Sequence, residues 1–435
     1  MAEDSSRDAD LEKQIRRIMK RVESQLRKEL TPGPHTFDET EDQAIEIGDE
    51  IKKVIVEEVN RDCGSGFAGN RVVCSCGARA RYKRRQERMV ISCAGVHGFE
   101  RAYYYCHSCR RGWCPLDRIL ALPETGECSR RLRSLVARFC CYLPYRLVAE
   151  ELEVICGVRL APSTIERIAR SVGDRVVEQW RDRERLVWQD RAPASEQRPR
   201  RLHLSMDGVM IFVDGEWREA KLGCAYQTSG RGSECGVTRS SYYATLAHSH
   251  AFGRRLRTLA HWEGADRCGQ VAIVADGGPW IWKEVGKYFP MKTQILDFYH
   301  VTQHLWVVAN ASFGEQSEQG ALWMEQQKSR LLANEMGNVI TEVMTWKPRK
   351  EADRKVRRNL LAYLETHRSR MAYKTFTEQG WHIGSGVIEA GCKCVVKARM
   401  GGAGMRWSQS GAEAMLHMCA AWRSSDRVDF GKYAN

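Results

Sequence analysis

No stretch of this 435-residue chain approaches the ~20 consecutive apolar residues that cross a bilayer, so no membrane span is expected. The opening residues, MAEDSSRDADLEKQ, are charged and have no apolar centre, which argues against a secretion signal. A Walker-type G-x-x-x-x-G-K-[ST] loop is missing, and an ATP-driven motor is not expected. Internal repeats and low-complexity tracts are missing as well. Negative charge is in short supply: 55 Asp and Glu stand against 68 Lys and Arg, a net charge of +13 with a pI near 9.0. That excess points to a polyanionic partner, nucleic acid before membrane, although a merely soluble basic protein would carry it too. Cysteine is plentiful, at 17. An odd, scattered set without a secretion signal fits a reducing cytoplasm and not a disulfide framework. Cys140, Cys141 and Cys419 lie in apolar surroundings and read as small core residues. The length allows two to four domains, and a composition 43% hydrophobic allows a sizeable core.

Three short apolar runs organise the middle of the chain. RLHLSMDGVMIFV carries Asp207, VAIVADGGPWIW carries Asp276, and QILDFYHVTQHL carries Asp297 and His300. Such runs read as buried strands, and strands alternating with helical patterns suggest an α/β sheet, whose edges carry its sites. A lone Asp-Gly is usually a turn. Two aspartates ending equally apolar strands are harder to dismiss: ~5 Å apart at a dielectric of ~20 they repel by roughly 3 kcal/mol. A shared proton or a hard divalent cation would offset that.

Taken in order, residues 9–30 carry Leu11, Ile15, Ile18, Met19, Val22 and Leu26 at helical spacing against a basic face. This predicts an amphipathic helix that docks a partner, reaches DNA or packs on its own domain. Thr31-Pro32-Gly33-Pro34 should end it, and a more acidic helix should run from about 41 to 59. Residues 63–117 hold Cys74-Ser75-Cys76 and Cys106-His107-Ser108-Cys109 around a basic, strand-like hairpin. Two close cysteine pairs so arranged form a zinc ribbon pattern, since four thiolates close a tetrahedral structural site. Cys93, Cys114, His97 and His107 are possible substitutes, and buried free thiols are the alternative.

Residues 125–188 look all-helical. A helix at 144–152, a turn at 157–162 and a helix capped by Ser163 have helix-turn-helix form, with Ser163, Thr164, Arg167 and Arg170 facing DNA bases. A plain helical bundle gives the same pattern; the net basic charge favours DNA. Residues 189–200, polar with two prolines, read as a linker. Strands are expected at 202–213, 217–227, 241–248, 270–276 and 293–297, with a helix near 251–262. Residues 301–380 read as an all-helical insertion. Glu389 then lies in GSGVIEAGCK, an apolar, Gly-flanked helix where a carboxylate is rare unless paired or metal-bound. Arg406 and Trp407, in GMRWS, read either as a nucleic-acid contact or as a packed tryptophan.

The succession strand-MDG, strand-ADG, strand-DFYH, helical insertion, GSGVIEAGCK, GMRWS resembles the DDE transposases of bacterial insertion sequences, in the ISKra branch related to the Mutator-like superfamily. The resemblance covers nearly the whole chain; the C-x-C of the first cysteine pair departs from it. It implies a multidomain α+β protein: N-terminal helices over 1–60, a zinc ribbon over 63–117, the helix-turn-helix region, and an RNase H-like α/β core over 201–300 and 381–435, interrupted by the insertion. It implies Asp207, Asp276 and Glu389 as catalytic acids, with Asp297 and His300 as auxiliaries. Two Mg²⁺ ions, replaceable by Mn²⁺, would be held by those acids, with a structural Zn²⁺ on Cys74, Cys76, Cys106 and Cys109. The implied partners are double-stranded DNA, as terminal repeats and target, and further copies of the chain in a homodimer or larger assembly. The expected place is the bacterial cytoplasm, on the nucleoid. Competing readings are an RNase H-like nuclease or resolvase that cleaves without joining, and a DNA-binding regulator with a silent core. Glu284 is the nearest rival to Glu389 as third acid.

Overall fold

The computed structural model describes residues 2–30, 33, 36–123, 126–229 and 236–434, with side chains from residue 12 onward. The fold is mixed α+β and divides into two compact units, Met1–Val172 with Asp429–Asn435, and Gly173–Val428. Among the described residues no helix is long and apolar enough to cross a membrane.

The first unit opens with two long helices, α1 (Ala2–Glu29) and α2 (Phe37–Arg61). Thr36 and Glu39 form a capping box that starts α2. Glu58, only 2% exposed, is held by Arg17, Arg21 and Arg61, which ties the pair together. Of the turn expected between them, only Gly33 lies within the described residues. Then comes a four-stranded antiparallel sheet of β1 (Arg71–Val73), β2 (Arg79–Ser92), β3 (Gly95–Cys106) and β4 (Arg111–Trp113), in sequential order. One face of its base is a small core of Ala80, Ala102 and Tyr104, with Tyr82 and Trp113 against it.

Four helices follow: α3 (Pro115–Ile119), α4 (Arg130–Cys140), α5 (Tyr145–Cys156) and α6 (Pro162–Trp188). Gly157 closes α5 at φ +63°, a conformation glycine adopts without strain. The next helix opens on Pro162, one residue before the expected Ser163 cap, because proline's missing N–H costs nothing in a first turn. The division between the units falls within α6. The 3₁₀ turn Phe430–Tyr433 packs on α4, so the last residues belong to the first unit and not, as expected, to the α/β core.

In the second unit, residues 189–200 are pinned and do not behave as a free linker. Ser195 is buried; its hydroxyl donates to the Trp262 carbonyl (2.6 Å), and Arg267 donates to the Ser195 carbonyl (3.1 Å). The sheet consists of β5 (Leu202–Val213), β6 (Glu216–Ser229), β7 (Gly236–Thr245), β8 (Val271–Ala275) and β9 (Thr293–Leu296), with α7 (Ser249–Trp262) before β8 and α8 (Pro279–Tyr288) after it. Its order is β7-β6-β5-β8-β9. The first three strands pair antiparallel, and β5, β8 and β9 pair parallel. Asp214 and Gly215, both at positive φ, make the tight β5–β6 turn.

Helices α9 (Phe298–Phe313), α10 (Glu318–Leu332), α11 (Met336–Thr345), α12 (Glu351–His367) and α13 (Tyr373–Glu378) form the insertion. The chain returns through α14 (Gly386–Gly391), a π-helical segment Cys392–Lys397, α15 (Ala398–Met400) and α16 (Gln409–Arg423).

Candidate functional site

The parallel register lines up the three aspartates. Leu202 pairs with Val271 and Leu204 with Ile273; carried on at the same step, Asp207 stands level with Asp276. Ala275 pairs with Leu296, so the next step sets Asp276 beside Asp297, whose N–H still donates to the Ala275 carbonyl (2.8 Å). Residues at one register step of parallel neighbours share a face, and neighbouring strands lie ~4.8 Å apart. Asp207, Asp276 and Asp297 are thus a row across three strands. The row lies where the connections turn from the β6 side of β5 to the β8 side, the usual place for a site in an α/β sheet.

Glu389 reaches the row by tethering. The returning chain is held where the Phe298 N–H donates to the Ile383 carbonyl (3.0 Å) and the His382 N–H donates to His203 Nε2 (3.2 Å). Asp297, 2% exposed, receives the Ser385 hydroxyl on Oδ2 (2.7 Å) and the Tyr299 and Ser385 N–H groups on Oδ1. The same Ser385 hydroxyl lies 3.1 Å from Glu389 Oε1, one turn along α14. At Gly391 a side chain would collide with Leu222 and Tyr242, so its absence lets α14 press on β6 beside Leu222, the residue opposite Asp207. The π-helical segment follows at once; such insertions often accompany functional sites.

The electrostatics bind these groups together. Burial raises the Asp207 carboxyl above its ordinary range; the Gly208 N–H and the Cys392 thiol (3.4 Å) oppose this, and the Asp276 and Glu389 charges add to it. Burial likewise raises Asp297, against its hydrogen bonds and with the Glu389 charge. Among the described residues, no Lys or Arg forms an ion pair with any of the four acids. Glu284 sits apart from them, beside Ser249 and His250 of α7.

The insertion supplies one wall. The Tyr363 ring lies against Gly277, where a side chain would collide with it. His304, His367 and His300 surround that ring. Burial and then Arg370 lower His367 to about 4, keeping it neutral. His300 Nε2 pairs with His304 Nε2 (3.2 Å). Tyr363, His304, His367, Ser385 and Cys392 were missed in the sequence because nothing local ties them to the acids.

Trp407 is buried. Its backbone bridges Val213 and its indole donates to the Met400 carbonyl (3.4 Å), so it is a packing residue and not a stacking surface; Arg406 is exposed. Ser163, Arg167 and Arg170 are exposed and Thr164 half-buried on α6, opposite buried Ile165, Ile168 and Ala169.

The cysteines are more tightly gathered. Cys74 Sγ lies 3.6 Å from Cys109 Sγ and Cys76 Sγ 3.7 Å from Cys106 Sγ, with all four sulfurs within 4.8 Å of one another. A tetrahedral zinc with ~2.3 Å bonds separates its sulfurs by ~3.8 Å, so the cluster could hold a structural metal such as zinc. The Cys76 N–H draws the Cys74 thiol down to about 6, and the Cys109 N–H lowers Cys106. Cys93, Cys114, His97 and His107 lie outside the cluster. Among the described residues no other group of three or more His, Cys, Asp or Glu is so close; the acids are more widely spaced.

Residues 35–432 match the model of the Uncharacterised protein family (UPF0236). The chain belongs to that family. No curated protein matches it.

Proposed function

We propose that this UPF0236 member is the DNA transposase of a bacterial insertion sequence, of the ISKra branch, cutting element ends and joining them to target DNA. The observation that carries the reading is the register row of Asp207 and Asp276, to which Ser385 and α14 bring Glu389 from beyond the insertion. The sheet supports an RNase H-like core: three antiparallel strands, a helix, then two strands parallel to the first, with acids on the first and fourth. The cysteine cluster supports a zinc ribbon ahead of it.

The acids fit a pair of divalent cations. Asp207 and Asp276 are half-buried and Glu389 is exposed; among the described residues none of the three has a cationic ion-pair partner, and burial and the neighbouring charges raise the Asp207 carboxyl. Asp207, Asp276 and Glu389 would hold Mg²⁺, with Mn²⁺ as a substitute; when bound, the cations activate an oxygen nucleophile and neutralise the leaving oxygen. The protein's other groups position and shield. Asp297 fixes the Ser385 turn, and Ser385 aims Glu389. The Cys392 thiol, which burial keeps protonated, holds Asp207. Tyr363 and His367 close off water beside Gly277. One hydroxyl proton at Ser385 faces two carboxylates; a proton retained on Asp297 frees that hydroxyl to donate to Glu389.

The test is a strand-transfer assay on DNA carrying the sequences that flank the gene. Mg²⁺-dependent nicking at the ends, followed by joining to target plasmid, is expected. Cleavage without joining favours a nuclease or resolvase, and binding without either favours a silent regulator.

A further inference from the structure

The sheet of the first unit has a second face whose two ends differ. Partners across β2 and β3 are Arg81 with Tyr105, Arg84 with Tyr103, Gln86 with Arg101 and Arg88 with Phe99. At the far end, Arg88 and Arg101 both reach Asp117 of α3 and are largely covered. At the cysteine end nothing matches them. Arg71, Arg79, Arg81, Lys83 and Arg84 are exposed there, and among the described residues none has an ion-pair partner. Arg71 stands directly opposite Arg81, and like charges so paired destabilise a sheet by roughly 0.2–1 kcal/mol. Two tyrosines complete the surface: Lys83 lies 6.0 Å over Tyr105 and Arg84 5.9 Å over Tyr103. Arg85 projects from the opposite face and is paired with Glu100 (2.7 Å).

We propose that this open face of Arg71, Arg79, Arg81, Lys83 and Arg84 is a docking surface for the sugar–phosphate backbone of duplex DNA. Charge complementarity identifies the partner. Five cations without an acidic partner among the described residues, of which Lys83 meets only His107 (3.3 Å), repel one another on a shape held by a four-sulfur cluster until a polyanion covers them, and released counterions then drive binding. The surface is distinct from the α6 residues expected to face bases, and positions the chain without reading sequence. It rests on the nucleic-acid reading above but not on the acids' chemistry.

The experiment uses the full-length protein, without added magnesium, and a fluorescent duplex of about 30 base pairs of random sequence, read by anisotropy across a salt series. The variant Arg79→Ala/Arg81→Ala/Arg84→Ala should bind at least about tenfold more weakly and reduce the salt slope by roughly 2–3. Arg85→Ala should bind as the parent does. Zinc content is measured for each; should the triple variant lose its metal, single Arg81→Glu is judged by the same affinity and slope criteria. Parental affinity and slope in a metal-retaining variant overturn the proposal, as does an equal loss in Arg85→Ala. Neither outcome touches the acids, because no cleavage is read.

Discussion

Cys74 and Cys109 are 35 residues apart and meet across one sheet; Asp207 and Cys392 are 185 apart and meet only after the helical insertion has folded back. The cysteine cluster is a local device, closed by neighbouring strands whose register is set within the same stretch of chain. The carboxylate row is a global one: strand pairing sets two members, and a tether through Ser385 sets the third. The local site should therefore fail as a unit when its ligand is lost, whereas the global site should degrade by steps, according to which link is cut.

The largest effect is expected at the cysteines. Elemental analysis should find about one zinc per chain. Stripping it, or Cys106→Ser, should remove roughly 10–16 kcal/mol of apparent binding free energy and melt the first unit's sheet. The second unit's thermal transition should stay where it was. A first-unit sheet that keeps its circular dichroism without metal would erase the contrast.

Next come the acids. Asp207→Asn, Asp276→Asn and Glu389→Gln should each lower Mg²⁺-dependent cleavage roughly a thousandfold or more, since each ~1.4 kcal/mol of lost transition-state stabilisation is tenfold. Folding and DNA binding should survive. Near-normal cleavage by Glu389→Gln would move the third acid elsewhere. The tether should cost less: Ser385→Ala or Asp297→Asn should reduce activity about 10–100-fold, the range for groups that orient metal ligands. If either matched Glu389→Gln, Asp297 would be a ligand and not a positioning residue.

The smallest effect is on pH. His203 is fully buried and stacked on Tyr226; burial, then His382 and Arg201, lower it to about 3. The unfolded chain then binds a proton, at pKa about 6.5, that the folded chain refuses. Its contribution is whole above that pH and is lost as pH falls towards 3. His203→Phe should flatten the acid limb of a second-unit stability curve by up to about 1.4 kcal/mol per pH unit. An unchanged limb would assign the acid sensitivity elsewhere.

The same contrast governs what could be read in advance. Strands β5 to β9 and the helical insertion were legible because apolar runs and helical spacing are local signals; β5 spans the expected residues, β6, β8 and β9 differ by a residue or two at their ends, and β7 begins five residues earlier and ends three earlier than expected. The cysteine cluster was legible for the same reason, as was the candidacy of Asp207 and Asp276. Residues 189–200 misled because the bonds that pin them, from Arg267 and to the Trp262 carbonyl, leave no mark in a polar, proline-bearing composition. Trp407 was ambiguous because its burial depends on a bridge to Val213, far back in the chain. Tyr363 and His367 could not be found at all: their relation to Gly277 exists only after α12 has folded back.

The clasp between Asp297 and Ser385 has one more consequence. Residues 298–384 leave and re-enter the sheet beside this hydrogen bond. The ends of the insertion are fixed by the clasp, so its length is not a variable of the catalytic geometry. Doubling a loop costs only ~0.6 kcal/mol in closure entropy. Insertion residues remote from the Tyr363 wall and from the Arg370 contacts with Gln294 and Trp282 can therefore change in length at little cost to the carboxylate row.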